Sequence, residues 1–390
     1  MRFAHLSDCH IGGWRDPKLR DLGLKSFLKA IEISVNSKVD FILIAGDLFD
    51  TAIPQIELIK KVAEIFRELK RSKIPIYIIP GSHDFSYSGK TMIEVFDKAG
   101  LVTNVMKLKN NQLQFTIDEK TDIKLVGIYG RKNGFEVEDY KKIDFSNLNS
   151  EAGFKIFLFH TLLTELKPKE FEIIETSPIS LLPKGFDYYA GGHPHFVYGK
   201  YHENYGVIAY PGPTFPNNFV ELEKLKVGSF YLVEVFENKL KLNSIPLKIK
   251  EVISYTFNLE GCRAEEVEEK LEFGDVIDKI VLLRLEGKLS FGRISDINFK
   301  KIFKKLESSY VSLKNTSKLI SEEEEIFDMK LGSIQEVETE VFNEFVSSEY
   351  NREFISRLIL SLSLTKEDGE RNVDFENRLL DEVGNLNEIN

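Results

Sequence analysis

The chain has 390 residues, of which 42% are hydrophobic and 29% charged, with a net charge of −10. This length supports two or three domains, and an acidic chain can work on nucleic acid only with a local basic surface or one lent by a partner. There is no apolar run of about 18 residues and no basic leader at MRFAHLSD, so neither a membrane span nor a signal peptide is predicted. The two cysteines, Cys9 and Cys262, suit a reducing cytosol and exclude a disulfide scaffold or thiolate zinc cluster.

In chain order, short β-branched or aromatic runs predict strands at residues 2–7, 41–45, 76–79, 124–128, 155–159, 188–190 and 207–210. Helical periodicity covers residues 22–35 and 56–69, with Pro54 where a first turn would begin and Lys70 and Arg71 near the end. The alternation predicts α/β. Residues 113–117 and 124–128 read as one hairpin, 230–236 and 240–245 as another. Beyond about residue 250 the pattern changes to a small α+β unit: strands at 252–259, 279–285 and 310–314, with helices at 264–271 and 299–306. An acidic run, 322–325, and a charged, helical-patterned segment follow.

Five of the seven histidines stand at or just after a predicted strand end: His10 in SDCH, His83 in GSHD, His160 in FLFH, and His193 and His195 in GGHPH. Asp8 and Asp47 occupy equivalent places. Ligands of open α/β sheets gather beyond the carboxyl ends of strands, so six strands could deliver these groups to one rim. Singly, each has a plainer reading, such as a loop histidine or a helix cap. The ordered combination is specific. A His-x-His on extended chain projects both rings to one side, and one aspartate can bridge two ions with its two oxygens. Imidazole and carboxylate without thiolate favour manganese, iron or zinc. Two such ions about 3.5–4 Å apart would clamp a phosphate for in-line attack.

These motifs resemble the calcineurin-like metallophosphoesterases over residues 1 to about 215, through D-x-H, G-D, G-x-H-D, H and G-H-x-H. The stretches IAGDLFDTAIP and YPGPT, and the order catalytic domain, cap, tail, are similar to double-strand-break repair nucleases of the SbcD type. The resemblance implies a four-layer sandwich of two mixed β-sheets flanked by helices, with a small α+β cap and a helical C-terminal tail. The domains would be 1–248 (nuclease), 249–320 (DNA-selecting cap) and 321–390 (acidic linker and partner-binding tail). It implies that Asp8, His10 and His195 bind one metal, Asp47 bridges, and His160 and His193 bind the second. His83 would stabilise charge on the phosphate or leaving oxygen, and Asp84 would orient His83. Ser82 stands where the family has a ligating Asn. It could ligate after a small backbone shift, hold a ligating water, or leave the second site weak, and the water is favoured.

The activity so implied is manganese-dependent 3′–5′ exonuclease and endonuclease cleavage of DNA in double-strand-break repair. The setting would be a cytoplasmic, nucleoid-associated homodimer working with an SMC-like coiled-coil ATPase. Arg15, Lys18, Lys90, Arg131 and Lys132 are candidate DNA contacts, and Trp14 could stack on an unpaired base or pack its loop. Residues 353–364 form an apolar helical stripe that would dock on the partner or on the chain's own domain. The alternatives are a phosphoesterase acting on small phosphodiesters or phosphoproteins, and a DNA-end-binding scaffold weakened by Ser82.

Overall fold

In the computed structural model the described residues are 1–86, 89–131, 136–149, 151–168, 176–237 and 239–321, with Phe375 and Arg378. The chain opens with β1 (Arg2–Leu6), α1 (Pro17–Asn36), β2 (Phe41–Ala45), α2 (Ile56–Arg71), β3 (Ile76–Ile79), α3 (Met92–Lys98) and β4 (Thr103–Asn104). Three short strands, β5 (Leu108–Lys109), β6 (Gln112–Leu113) and β7 (Thr116–Ile117), precede β8 (Lys124–Gly127), α4 (Glu136–Lys142) and α5 (Ser146–Asn149). Next come β9 (Lys155–His160), β10 (Tyr188–Gly192), β11 (Val197–His202), β12 (Gly206–Pro211), α6 (Phe219–Leu225), β13 (Gly228–Phe236) and β14 (Lys239–Leu247). The last described elements are β15 (Val252–Asn258), α7 (Val267–Lys270), β16 (Ile280–Leu289), α8 (Phe299–Lys305) and β17 (Val311–Ser321).

Two six-stranded sheets result, ordered β14-β13-β1-β2-β3-β4 and β11-β12-β10-β9-β8-β7. Both are mixed. In the first, β1, β2, β3 and β4 run parallel and β13 joins β1 antiparallel. In the second, β8, β9, β10 and β12 are parallel, with antiparallel edges at β7 and β11. The two faces of each strand diverge because side chains alternate. Ala4, Leu6, Ile42, Ile44, Ile76 and Ile78 pack outward on Phe27, Phe66 and Phe96 of the first three helices. Phe3, Phe41, Leu43, Tyr77 and Ile79 face inward, onto Leu125, Ile156, Leu158, Tyr188 and Ala209 of the second sheet. The far side of that sheet, including Phe157, Phe159 and Tyr189, is covered by Tyr140 and Leu148 from α4 and α5. These layers, helices, sheet, sheet, helices, are the expected sandwich.

Helix α1 begins five residues before the predicted span. Its start is dictated by Asp16, whose side chain accepts from the N–H groups of Lys18 and Leu19, with Pro17 in the first turn.

Contacts divide the chain into two units. One comprises Met1–Leu259, Val267–Glu286 and Asn298–Lys318. Within it β15 pairs parallel with β16 from Val252↔Ile280 to Asn258↔Glu286. Ile280 and Leu282 there share an apolar cluster with Leu19, Leu22, Phe215 and Leu222. The other unit takes Glu260–Glu266, Gly287–Ile297 and the described residues from Leu319 on. In it the Ser290 N–H donates to the Cys262 carbonyl at 2.9 Å, and Arg263 lies over the Phe291 ring. The acidic run and the apolar stripe at 353–364 lie outside the described residues. Among the described residues, no helix is long and apolar enough to cross a membrane.

Candidate metal centre

The chemistry-bearing residues leave five strand ends, those of β1, β2, β3, β9 and β10, and not six as expected; His193 and His195 share one exit. At these exits the backbone is held in an unusual state. Asp8 (φ 50°), His10 (φ 40°), Asp47 (φ 51°) and His193 (φ 93°) all lie at positive φ. For non-glycine residues that conformation is uncommon, costs about 1–3 kcal/mol, and persists only where surroundings enforce it. Here a cross-loop ladder enforces it: Asp8 N–H donates to the Gly46 carbonyl at 3.1 Å and His10 N–H to the Asp47 carbonyl at 3.0 Å. Gly46 has φ +88°, and a Cβ there would strike the His160 ring, so the tight corner admits only glycine.

The side chains converge. His160 Nε2 lies 3.1 Å from Asp47 Oδ2 and 4.0 Å from Asp8 Oδ1. His10 Nε2 lies 3.8 Å from Asp47 Oδ2, and His195 Nε2 lies 3.8 Å from Asp8 Oδ1. The Nε2 atoms of His10 and His195 stand 3.1 Å apart. Among the described residues three donor triads follow: Asp8–His10–His195 and Asp8–Asp47–His160, which share Asp8, and His10–Asp50–His83. Asp8 reaches both sets, a sharing that the sequence did not suggest. The donor chemistry fits divalent transition ions. Donors that share an ion about 2.0–2.2 Å away stand about 3–4 Å apart, as these do.

The electrostatics agree. Burial disfavours charge on His10 and His160. Yet the hydrogen bond that His10 donates to Asp50 and the charges of Asp47 and Asp8 raise His10 to about 9. His160 rises to about 10, chiefly through Asp47. Asp47 itself is held well below the usual carboxylate range: burial opposes this, but His160, His10 and His83 outweigh it. Such a buried cluster attracts cations of any kind. His193 goes the other way, lowered to about 4 by burial and then by the charge of His160. Above the cluster opens a cavity of about 590 Å³, lined by His10, Asp47, Ser82, His83, His193 and His195 among others.

Residues 1–196 match the calcineurin-like phosphoesterase family. The chain belongs to this family. It is 30% identical to the DNA double-strand break repair protein Mre11 of Methanococcus maripaludis over 261 residues, covering 63% of this chain and 66% of that protein. To the protein of the same name from Archaeoglobus fulgidus it is 25% identical over 373 residues, covering 85% and 80%. Both relatives carry the double-strand-break repair name of the branch that the sequence resembles. Among solved structures, a dimetal phosphatase from Danio rerio overlaps at a TM-score of 0.42 and 9% identity, covering 63% of this chain and 98% of that one.

The remaining expected residues of this phosphoesterase are placed as follows. Ser82 is buried, lines the cavity and donates to Asp47 Oδ2 at 3.4 Å. His193 presents its main-chain N–H to Asp8 Oδ1 at 2.9 Å, and its ring lies 5.3 Å from that of His160. His83 donates its N–H to Asp47 Oδ1 at 2.7 Å.

One expectation is corrected. Asp84 does not orient His83. Its carboxylate accepts from the main-chain N–H groups of Gly81 (2.9 Å), Leu48 (3.3 Å) and Phe49 (3.3 Å), bracing the loop that carries Asp47. The partner of His83 Nδ1 is instead the Asp50 carbonyl, at 2.8 Å. Burial and the nearby Asp47 charge raise Asp84 to about 7.

Of the basic candidates, Arg15 and Lys90 are exposed. Arg131 pairs with Asp139 at 3.3 Å and lies over Tyr129. Lys18 donates to the Tyr310 carbonyl at 2.7 Å, tying α1 to the residue just before β17. Lys132 lies outside the described residues. Trp14 packs its loop, with Nε1 donating to the Pro216 carbonyl at 2.9 Å. Sequence reasoning missed Asp50 and Glu221. Asp50 Oδ1 meets His10 Nδ1 at 3.2 Å, and Glu221 Oε1 meets His195 Nδ1 at 2.9 Å.

Proposed function

We propose that this phosphoesterase is a two-metal DNA nuclease that hydrolyses phosphodiester bonds at DNA ends in double-strand-break repair. The observation that carries the reading is the meeting of two donor triads that share Asp8, beside an open cavity lined by His10, Asp47 and His195. The relatives support the substrate, since the two described above are double-strand break repair proteins. The imidazole and carboxylate donor set favours manganese, iron or zinc, and manganese is the ion of this proposal.

In this reading Asp8, His10 and His195 hold one ion, Asp47 bridges, and His160 and His193 hold the other, with Ser82 contributing directly or through water. When bound, such a pair supplies Lewis-acid activation of the phosphate and a nucleophile from water at neutral pH. The chain's own residues do the rest. Asp84 fixes the Asp47 loop through three main-chain hydrogen bonds. His83 lines the cavity with Nδ1 committed to the Asp50 carbonyl, which leaves Nε2 for the phosphate or the leaving oxygen. Positive φ at Asp8, His10, Asp47 and His193 is strain of the kind that assembled functional sites carry.

Both 3′–5′ exonuclease and endonuclease activity, a homodimer, and an SMC-like ATPase partner bound through the C-terminal segment complete the proposal. The net charge of −10 fits a nuclease whose DNA-binding surface is shared with a partner. The test is degradation of end-labelled linear duplex with manganese, against the same reaction in chelator. Shortening from the 3′ ends only in manganese is expected. Equal degradation in chelator contradicts the reading.

A further inference from the structure

Behind the metal centre, one hydrogen-bonded chain joins two of the candidate ligands. Its first end is His195 Nδ1, which meets Glu221 Oε1 at 2.9 Å. The other oxygen, Glu221 Oε2, accepts from the Asn217 N–H at 2.8 Å. The Asn217 side-chain amide donates to Asp50 Oδ1 at 2.9 Å. That same oxygen receives His10 Nδ1 at 3.2 Å. The chain therefore runs His195, Glu221, Asn217, Asp50, His10, and it closes a loop whose front is the 3.1 Å approach of the two Nε2 atoms.

We propose that Glu221 and Asp50, joined through Asn217, are positioning residues that hold His195 and His10 in the tautomer and ring angle needed to bind one metal ion. The inference rests on the metal-dependent reading above. A carboxylate only accepts hydrogen bonds, so each Nδ1 must carry the hydrogen. The neutral ring then has its lone pair on Nε2, and both Nε2 atoms point at the same place. The two histidines come from different sheets, after β1 and after β10. Neither strand alone could fix their mutual angle, whereas a chain that touches both can.

A plainer role for Glu221 is to cap α6. Asn218 does cap this helix, accepting from the Glu221 N–H at 2.9 Å. In an ordinary capping box the glutamate side chain would return to the N-cap N–H. Here Oε2 goes to the Asn217 N–H, and Oε1 is shared between the side-chain amide of Asn218, at 2.5 Å, and His195 Nδ1. The helix is fixed from its other side as well. Arg284 of β16 grips Glu223 with Nε at 2.9 Å from Oε1 and Nη2 at 2.6 Å from Oε2. In the second set the corresponding partner is neutral: His160 Nδ1 donates to the main-chain carbonyl of Ala45 at 2.8 Å, which fixes its tautomer but adds no charge. The set of Asp8, His10 and His195 is thus the one backed by charge, and it should bind its ion more tightly.

The experiment is manganese titration of the full chain by calorimetry, with the melting temperature of the metal-free protein measured alongside. Wild type should show a tight and a weaker site. Glu221→Ala should weaken the tight site about 10–100-fold, the usual loss on removing a partner of a ligand histidine. Glu221→Gln, whose amide oxygen still accepts from Nδ1–H, should recover most of that loss. If Glu221→Ala does not fold, Asp50→Ala should show the same weakening through His10. Unchanged manganese affinity in the folded variants, with only a lower melting temperature, would leave Glu221 a helix cap and overturn the inference. If Glu221→Gln is as weak as the alanine variant, the tautomer argument fails. Absence of manganese binding by wild type would overturn the metal-dependent reading and this inference together.

Discussion

The Nδ1 nitrogen of His83 stands 2.8 Å from the main-chain carbonyl oxygen of Asp50. A carbonyl only accepts, so Nδ1 carries the hydrogen and the other nitrogen of the ring is left for the substrate. The contact is to backbone, so no side-chain change at position 50 removes it directly. His83→Gln should lower single-turnover DNA cleavage about 100–1,000-fold, the scale of losing one charge-stabilising donor. Manganese stoichiometry, read by calorimetry, should stay at the wild-type value. Unchanged cleavage would show that His83 has no part in the chemistry.

Asp47 meets four residues of the site, His10, Ser82, His83 and His160. Its oxygens meet the His83 N–H at 2.7 Å and His160 Nε2 at 3.1 Å. Asp47→Asn keeps the shape but removes the charge that holds both histidines. Cleavage should fall by more than about 100-fold, beyond the loss typical of an outer partner, and the weaker manganese site should disappear from the titration. Retention of both sites would contradict its bridging role.

Ser82 stands beside Asp47 with Oγ 3.4 Å from Oδ2, at the place where the family has an amide. Ser82→Asn should supply a direct oxygen donor and tighten the weaker site about tenfold, about 1.4 kcal/mol. Equal affinity in the two proteins would mean that serine, or water held by it, already serves as well.

His5 lies in the core between the two sheets, fully buried, with Nδ1 2.8 Å from the Tyr188 hydroxyl. Burial lowers it from an ordinary 6.5 to about 3. The sign follows from linkage. The folded state keeps this ring neutral, so its contribution is whole above about pH 6.5 and is lost as the pH falls toward about 3. Over that range it should make stability fall by about 1.4 kcal/mol per pH unit. Urea midpoints from pH 7 to 4 should therefore slope less steeply in His5→Gln than in wild type. Parallel slopes would show that His5 does not titrate on unfolding.

The strands and the gathering of aspartates and histidines at their exits were legible because their signals are local. Runs such as FILIA and IYII are apolar on both faces, and each ends at a glycine, proline, aspartate or histidine that marks the exit. What escaped was set by distant partners. Strand β11 is an exposed edge whose residues VYGKYH carry no core pattern. The role of Asp84 depends on Leu48 and Phe49, and sequence adjacency to His83 pointed to the wrong partner. Asp50 reads as a turn residue and Glu221 as a helix-start acid until the fold brings them behind His10 and His195. A glutamate three residues after an asparagine cap, shortly beyond GGHPH, was the available signal for Glu221. Lys18 looked like a loop cation, but its partner is Tyr310, just before β17.

The central claim is that these triads cut DNA. Its most direct measurement is manganese-dependent turnover of labelled linear duplex beside that of a small phosphodiester reporter, for wild type and Asp47→Asn. Shortening of the duplex by wild type alone, at a rate well above reporter turnover, is the predicted result. Turnover of the reporter with the duplex left intact would contradict it.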